Sequence, residues 1–241
     1  MQDIYAFDVG DFGKIGLLRS VCSSPLRLGV LWWKTQLGSG GLDGKHVRYL
    51  ADRRFRAADS MLWDEMGRIL REEGTRSIRA LEPLFPRGTA FHDRPVPLRQ
   101  VDRNNWFNEA MKAVEGVDVV FCDPDNGIHF DDSCRSLRHV SALELRQLFD
   151  AGHSLVVYHH LNRSAPHSEQ IKVGLSRLSE VSGGAPSWAA HFRRGSSRVL
   201  FVLAQSRHAD VMATRLSRMK DSAWARDGHF NVLAATHFRE T

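Results

Sequence analysis

The sequence contains few cysteines and no long apolar runs, and these two shortages exclude several classes of protein. Its 241 residues include three cysteines, Cys22, Cys122 and Cys134, without CxxC spacing, so neither a disulfide framework nor a structural zinc site is expected. No apolar run approaches the roughly 18 residues of a membrane-spanning helix. The opening MQDIYAFDVGDFGK has no basic region followed by an apolar one, so we expect no signal peptide. These features predict a cytoplasmic protein without a membrane partner.

Lysine is scarce as well, although the chain is basic. The formal net charge is +5, and only six of the 33 basic residues are lysine. The excess of arginine favours a polyanionic partner, because the guanidinium binds phosphate through two hydrogen bonds and stacks on bases. We predict DNA, with RNA as the alternative partner. A GC-rich genome would also favour arginine codons, and that explanation stays open.

Strand-like apolar runs alternate with amphipathic helical runs along the chain. Because the strands are apolar throughout, they are expected to be buried on both faces of a mostly parallel sheet. A capping box, Ser141 to Glu144, opens one of the helices. The chain is therefore predicted to be an α/β protein with a Rossmann-like fold, helices on both faces and a late antiparallel hairpin. Strands are expected at 26–33, 117–122, 154–160, 188–194, 197–204 and 229–238, and helices at 11–22, 57–74, 104–116, 141–151, 166–181 and 209–219.

The segment from about residue 40 to residue 100 fits this alternation poorly. We interpret it as a helical insertion in a single domain that comprises all 241 residues. A glycine-rich loop, 34–45, leads into it, and a proline-rich stretch, 85–102, contains one edge strand at most. Its helix at 57–74 is expected to bury one face and to stop at Gly74. That face contains Met61, Leu62, Met66, Ile69 and Leu70.

Two of the predicted strands end in dense polar clusters. Asp123, Asp125 and Asn126 follow the strand at 117–122, within the turn sequence DPDNG. Ligands of open α/β sheets bind outside the carboxyl ends of the strands, so neighbouring strands would place both clusters in one crevice. The alternative is that DPDNG only makes a turn and caps the next helix. The second cluster, YHHLNR, contains His159, His160, Asn162 and Arg163.

The N-terminal sequence FDVGDFGK adds further polar residues that precede a helix. Asp8 and Lys14 are candidate site residues. Asp11 either joins them or caps the helix, because a carboxylate at a helix start accepts hydrogen bonds from unpaired backbone N–H groups.

Four short motifs resemble the large-subunit ribosomal RNA adenine-N6 methyltransferases, which have class I methyltransferase folds. DVGDFGK resembles their N-terminal His-Ala-Gly-Asn helix motif, and VVFCDPDNG resembles their strand ending in Asp-Pro-Pro-Tyr. LVVYHHLNR and RRGSSRVLFVL resemble their next strand and late hairpin, so the likeness covers 5–22 and 116–204. The resemblance implies that Asp123 and Pro124 match the first half of the catalytic tetrapeptide. Asp125-Asn126 replaces Pro-Tyr and removes the aromatic that stacks on the target adenine.

The adenosylmethionine motif of that family, a strand that ends in a glycine-rich acidic loop, has no match in this chain. The corresponding segment, LGVLWWKTQLGSGG, has two tryptophans and a lysine in its place. We therefore expect the family's fold without its cofactor, and we predict that the protein needs no cofactor.

CDPDNGIHF and YHHLNRSAPH also resemble the uracil-DNA glycosylase superfamily, which places an Asp-Pro motif after one strand and a histidine motif after a later one. Cleaving a base–sugar bond needs a carboxylate, Asp125 or Asp123, that stabilises an oxocarbenium-like sugar or activates water. It also needs a donor for the leaving base, Asn126 or His159. The nucleotide would flip out and stack on an aromatic side chain. The available aromatics, each equally suited to the core, are Phe121, Tyr158, Trp32, Trp33 and Phe130.

A metal-dependent nuclease is a further alternative, since carboxylates and a histidine could hold Mg²⁺. The ligands would be Asp8, Asp123, Asp125 and His159. The sequence has neither a nuclease spacing nor HxxxH, and we predict no metal site.

The sequence thus favours a hydrolase that cleaves the base–sugar N-glycosidic bond in DNA, at a modified base in repair or antiphage defence. A methyltransferase-like enzyme with a divergent cofactor site is the main alternative, ahead of the nuclease and a non-catalytic binding module. Basic clusters at 52–56 and 193–198 either grip phosphates or face solvent. The predicted catalytic residues are Asp125, Asp123, Asn126, His159, His160 and Asp8. The predicted substrate-binding residues are Lys14, Tyr158, Asn162, Arg163, Arg193, Arg194 and Arg198.

Overall fold

The computed structural model describes residues 2–35, 46–74, 76–131 and 136–235, which form one large sheet with helices around it. The α-helices are α1 Val9–Val21, α2 Arg53–Ala58, α3 Ser60–Glu73, α4 Arg103–Ala113, α5 Ala142–Asp150, α6 His167–Val181, α7 Ser206–Lys220 and α8 Ala223–Arg226. The strands are β1 Leu28–Trp32, β2 Ala90–His92, β3 Val119–Asp123, β4 Gly127–His129, β5 His139–Ser141, β6 Ser154–His160, β7 Ser187–Phe192, β8 Arg198–Leu203 and β9 Phe230–Ala234.

The large sheet is parallel on one side and antiparallel on the other. Its order is β2-β1-β3-β6-β8-β7-β9, while β4 and β5 pair separately. The first four strands of this order run parallel, and each later strand is antiparallel to its neighbour. The predicted α/β fold with a Rossmann-like sheet and a late antiparallel hairpin is confirmed. The proline-rich stretch contributes only β2, which lies at the sheet edge, where a missing backbone donor does least harm.

Helices cover both faces of the sheet, as expected for strands that are apolar throughout. One buried cluster packs α1, α3 and α7 on the sheet, with Phe12, Met66 and Met212 among its members. The other packs α4, α5 and α6 on the opposite face, with Trp106 and Leu175 among its members. Side chains of a strand point alternately to the two faces, so each central strand contributes to both clusters.

Local sequence signals account for most element ends, with one clear exception. The capping box of α5 is present, with the Ser141 and Glu144 side chains each bonded to the other's backbone N–H. The predicted helix at 57–74 is instead two helices, because Asp59 is extended and its carboxylate caps α3 by accepting from the Leu62 N–H at 2.9 Å. Met61 therefore lies on the outside of the first turn and is 73% exposed, not on the buried face as predicted.

Several boundaries shift by a few residues. The strand predicted at 117–122 is Val119–Asp123, so Asp123 belongs to the strand itself, and the helix predicted at 209–219 starts earlier, at Ser206. Most of the predicted glycine-rich loop, 36–45, and the end of the last strand, 236–238, lie outside the described residues. The helical insertion stays a prediction, although α3 shares a core with α1. Within the described ranges, no helix has the length and apolar character needed to cross a membrane.

Candidate active site

A polar cavity of about 420 Å³ lies where β3 and β6 end, beside the first turn of α1. Because β3 and β6 are parallel neighbours, their two polar clusters meet, and the His160 N–H donates to the Asn126 carbonyl at 3.2 Å. The volume falls within the range of roughly 300–1,000 Å³ typical of small-ligand sites. Of the predicted site residues, those that line this central cavity are Asp8, Lys14, Asp125, Asn126, Tyr158, His160 and Arg198.

Asp8 caps α1, so the interpretation of Asp11 as the cap is wrong. The Asp8 backbone is extended, and its Oδ1 accepts from the N–H groups of Gly10 at 2.7 Å and Asp11 at 3.0 Å. Asp11 lies inside the first turn, and its side chain turns inward to the cavity. Asp11 therefore lines the cavity together with Asp8 and Lys14, and it is the most buried of the carboxylates that line it.

Lys14 joins the helix to the end of β3. Its Nζ lies 3.1 Å from Oδ1 of Asp11, 2.9 Å from Oδ2 of Asp123 and 4.8 Å from the centre of the Tyr158 ring. Asp11 and Asp123 are each 1% exposed, and Lys14 is 6% exposed. Burial lowers the pKa of Lys14, but attraction to Asp123 and Asp11 outweighs it, so the pKa lies above its ordinary value and the ammonium stays charged.

Asp11 has the properties of a group that exchanges protons near neutral pH. Burial raises the pKa of its carboxyl to about 7, against the attraction of Lys14 and with repulsion from Asp8 and Asp123. Its Oδ2 has no hydrogen-bond partner among the described residues. A general acid or base works best when its pKa is near the working pH. Asp11 therefore brings a titrating carboxyl to the cavity wall.

Asp125 differs from Asp11 although both line the cavity. Its Oδ2 accepts from the Thr35 hydroxyl at 2.8 Å and from the Gln2 amide at 3.2 Å. Burial pushes the pKa of Asp125 upward, the hydrogen bonds from Thr35 and Gln2 act against burial, and the pKa lies below its ordinary value. Asp125 is ionised at neutral pH.

Cationic and aromatic groups complete the cavity wall. Arg198 is 4% exposed, and its Nη1 lies 3.7 Å from Oδ1 of Asp8. Gly10 makes this approach possible, because a Cβ there would lie 1.2 Å from the same Nη1. Burial lowers the pKa of His160, with Arg198 and His167 adding to the effect. His160 is thus a neutral hydrogen-bonding group, and Tyr158 supplies a ring beneath Lys14.

His159, a predicted catalytic residue, lies on the other face of β6 and does not line the cavity. Its Nδ1 accepts from the Ile128 N–H at 3.0 Å, and its ring lies 5.9 Å from that of Phe201. Gly127 lies against it with φ of +114°, where a Cβ would approach the His159 Cα to 2.7 Å. Burial lowers the pKa of His159 to about 4. With this pKa the ring is neutral at pH 7 and acts as a structural acceptor. It lies away from the cavity because the pleat turns consecutive side chains to opposite faces.

Four predicted substrate-binding residues also lie outside the central cavity. Asn162 accepts from the Ser164 N–H at 2.8 Å within its own turn, and Arg163 is exposed. Arg194 donates to His229 at 3.2 Å and to the Asp227 carbonyl, and Arg193 lines a different cavity. Three of the candidate stacking residues are core, since Trp32, Trp33 and Phe121 are at most 1% exposed.

Several lining residues were not predicted from the sequence. Asp11, which the sequence left open as a site residue or a cap, precedes the predicted site residue Lys14 by three positions, which places both side chains on one helix face, and that signal was available. No local signal marks Gln2, Thr35 or Arg138, which reach the site from distant segments.

The proposed magnesium ligands are not gathered into a cluster. Over the described ranges, no group of three His, Cys, Asp or Glu side chains has the geometry to hold a metal ion. The chain matches no protein-family model, and no curated protein is significantly similar to it in sequence.

Proposed function

We propose that the protein is a hydrolase that cleaves the base–sugar N-glycosidic bond of a nucleotide held in the central cavity. The observation that carries the proposal is the pair of cavity carboxyls whose pKa values are displaced in opposite directions, Asp11 upward and Asp125 downward. Two carboxyls separated in this way can serve as acid and base at the same pH. This pairing supports a reaction in which one group gives a proton while the other takes one.

The proposed step needs only water as co-reactant. The C1′–N bond breaks, its electron pair moves to the base nitrogen, and the Asp11 carboxyl donates a proton to that base. Water attacks the oxocarbenium-like C1′ and gives its proton to Asp125, whose negative charge also stabilises the sugar cation. The products are the free base and an abasic sugar, and solvent exchange returns both carboxyls to their starting states.

The remaining wall suits the other parts of a nucleotide. Arg198 and Arg138 can contact a phosphate, and the Tyr158 ring and His160 can contact the base. We place the protein in the reducing cytoplasm, which is supported by the buried free thiols Cys22 and Cys122.

The test is mass spectrometry of bases released from 15-nucleotide single strands that contain ordinary, deaminated or N-methylated bases. We expect Asp125→Asn and Asp11→Asn to lower the rate at least about 100-fold, the scale of general acid–base catalysis. Asp150→Asn, the same change on the exposed end of α5, is the control and should retain the rate. Circular dichroism establishes that all three variants are folded.

The pH dependence of the base-release rate tests whether Asp11 is the general acid. Because Asp11 must be protonated to donate, the wild-type rate should fall as pH rises above about 7, and residual activity in Asp11→Asn should lack that fall. Folded, fully active Asp11→Asn and Asp125→Asn proteins would refute the assignment. Absence of base release from every strand and from the free nucleosides of the same bases would refute the function.

A methyltransferase-like enzyme is the second candidate, favoured by the Lys14–Asp123 ion pair at 2.9 Å. That contact joins DVGDFGK to CDPDNG, the two segments that resemble the rRNA adenine methyltransferases. Its test is calorimetry with adenosylmethionine, together with the mass of the product. This enzyme would make a nucleic acid heavier by one methyl group and would release no free base. Micromolar binding with methyl transfer would establish this candidate in place of the glycosylase.

A further inference from the structure

Two further cavities lie beside the central one around residues 193–198, which comprise the turn between β7 and β8 and the first residue of β8. The Arg48 cavity, of about 490 Å³, is lined by Arg48, Tyr49, Phe55 and Arg194 among others. The His167 cavity, of about 530 Å³, is lined by His167, His191, Arg193 and Ser197 among others.

The Arg48 cavity shares a lining residue with each of the other two, and the central and His167 cavities meet at the consecutive residues Ser196 and Ser197. His46 lines the central and Arg48 cavities, and Gly195 lines both side cavities. Within residues 193–198, Arg198 faces the central cavity, Arg193 faces the His167 cavity and Arg194 faces the Arg48 cavity. This short stretch thus presents one arginine to each cavity.

Charge is divided unevenly among the three cavities. The central cavity is lined by Asp8, Asp11 and Asp125. Among the described lining residues of the side cavities only Asp52 is acidic, and it is paired with Arg54 at 2.7 Å. Arginines therefore outnumber carboxylates in the side cavities, whereas three carboxylates line the central one.

The His167 cavity contains a built set of hydrogen-bonding groups. The Ser197 Oγ lies 2.7 Å from Nε2 of His191 and 3.0 Å from Nδ1 of His167. Burial, together with repulsion from His167 and Arg193, lowers the pKa of His191 to about 4, so this ring is neutral at pH 7. Neutral N–H and O–H groups beside an arginine are the groups with which proteins hold backbone phosphates.

The Arg48 cavity places its two arginines against an aromatic wall. The Tyr49 and Phe55 rings lie 5.4 Å apart there and belong to the buried core, at 4% and 8% exposed. Positively charged grooves that track the backbone are a feature of proteins that bind single strands, and Arg48 and Arg194 supply that charge here.

We infer that the substrate is a single nucleic-acid strand that passes over residues 193–198. Its reacting nucleotide occupies the central cavity, and the phosphates on either side occupy the Arg48 and His167 cavities. This inference rests on the proposed function for the role of the central cavity, and it excludes free nucleosides as the preferred substrate.

The test measures binding by fluorescence anisotropy and needs no turnover. The probes are a labelled 15-nucleotide single-stranded DNA, the RNA of the same sequence and the matching DNA duplex. We expect the single strand to bind more tightly than the duplex. The logarithm of its affinity should fall with the logarithm of salt concentration by about 0.7 for each phosphate contact.

Arg193→Glu is the decisive variant, and Arg177→Glu is its matched control. Both replace an exposed arginine and change the net charge equally, but Arg177 lies ten residues beyond His167 in α6, about 15 Å away along the helix axis. We expect Arg193→Glu to weaken strand binding about tenfold or more and to reduce the salt slope, whereas Arg177→Glu should not. Ser197→Ala, with little change in volume, should weaken binding by a smaller factor.

The outcomes separate this inference from the proposed function. Equal weakening by both charge reversals, or tighter binding of the duplex, would overturn the inference. Base release from free nucleosides without strand binding would overturn it while leaving the hydrolase proposal intact. Strand binding that depends on Arg193 without base release would support it and refute the hydrolase. The DNA and RNA probes decide which strand the turn prefers.

Discussion

The central cavity and the two side cavities hold their charges in different ways. In the centre, Asp11, Lys14 and Asp123 are at most 6% exposed and pair with one another. At the side, Arg193 is exposed on the turn between two strands. The comparison separates two uses of charge, because a buried group must be compensated by the fold, whereas an exposed group is compensated by water until a ligand replaces it.

The difference also predicts where stability and function are coupled. Burial raises the pKa of Asp11 to about 7, and the same burial makes the fold depend on Lys14. A substitution in the centre should therefore alter both stability and chemistry. A substitution on the turn should alter affinity alone.

The largest expected effect is on stability, from Lys14→Met. It leaves Asp11 and Asp123 buried without a countercharge, and breaking a buried ion pair in this way costs about 3–5 kcal/mol. Lys34→Met is the control, because Lys34 pairs with Asp3 at 3.2 Å with both side chains more than a quarter exposed, and such a pair contributes about 1 kcal/mol or less. Urea denaturation measures the free energy of unfolding of both variants. Equal losses would remove the distinction between buried and exposed charge.

The second expected effect is a loss of stability in acid that depends on His159. Its pKa is about 4 in the folded chain, against an ordinary value of 6.5, so between these values the unfolded chain binds more protons. Stability is therefore full above pH 6.5 and falls by roughly 3 kcal/mol as pH drops to 4. The physical cause is the hydrogen bond that Nδ1 of His159 accepts from the Ile128 N–H. A protonated Nδ1 carries a hydrogen and cannot accept this bond.

His159→Gln should flatten that acid dependence relative to wild type. The comparison between the two proteins is needed because Asp11, with its raised pKa, acts in the opposite sense: its stabilisation is lost as pH rises from 3.8 to about 7. His46→Gln, which removes an exposed histidine, controls for loss of a histidine as such. An unchanged acid profile in His159→Gln would show that its ring is accessible to water.

The smallest expected effect is the stability change in Arg193→Glu. Exposed positions without special backbone or packing roles change stability by no more than about 0.5 kcal/mol. Thermal and urea unfolding should therefore match wild type, although strand binding is weakened. A loss above 1 kcal/mol would mean that the turn is held together by this arginine and is not a surface reserved for a ligand.

The sequence alone determined the fold class and the part of the sheet where the site lies. Apolar runs and helical periodicity are local properties, so β6, predicted at 154–160, appears at Ser154–His160. The clusters after β3 and β6 were recognisable because several polar residues at the end of a buried strand indicate that some of them face a crevice or solvent. The capping box of α5 was equally local and was found in place.

Only the tertiary structure decided which side chain of each cluster faces the cavity. Either Asp8 or Asp11 could cap α1, and the extended backbone at Asp8 settles it. Either His159 or His160 could face the site, and the pairing of β6 with β3 and β8 sets the phase of the pleat. The pairing of Lys14 with Asp123 joins residues 109 positions apart. The raised pKa of Asp11 depends on this burial and on charges brought together by folding, which no local pattern encodes.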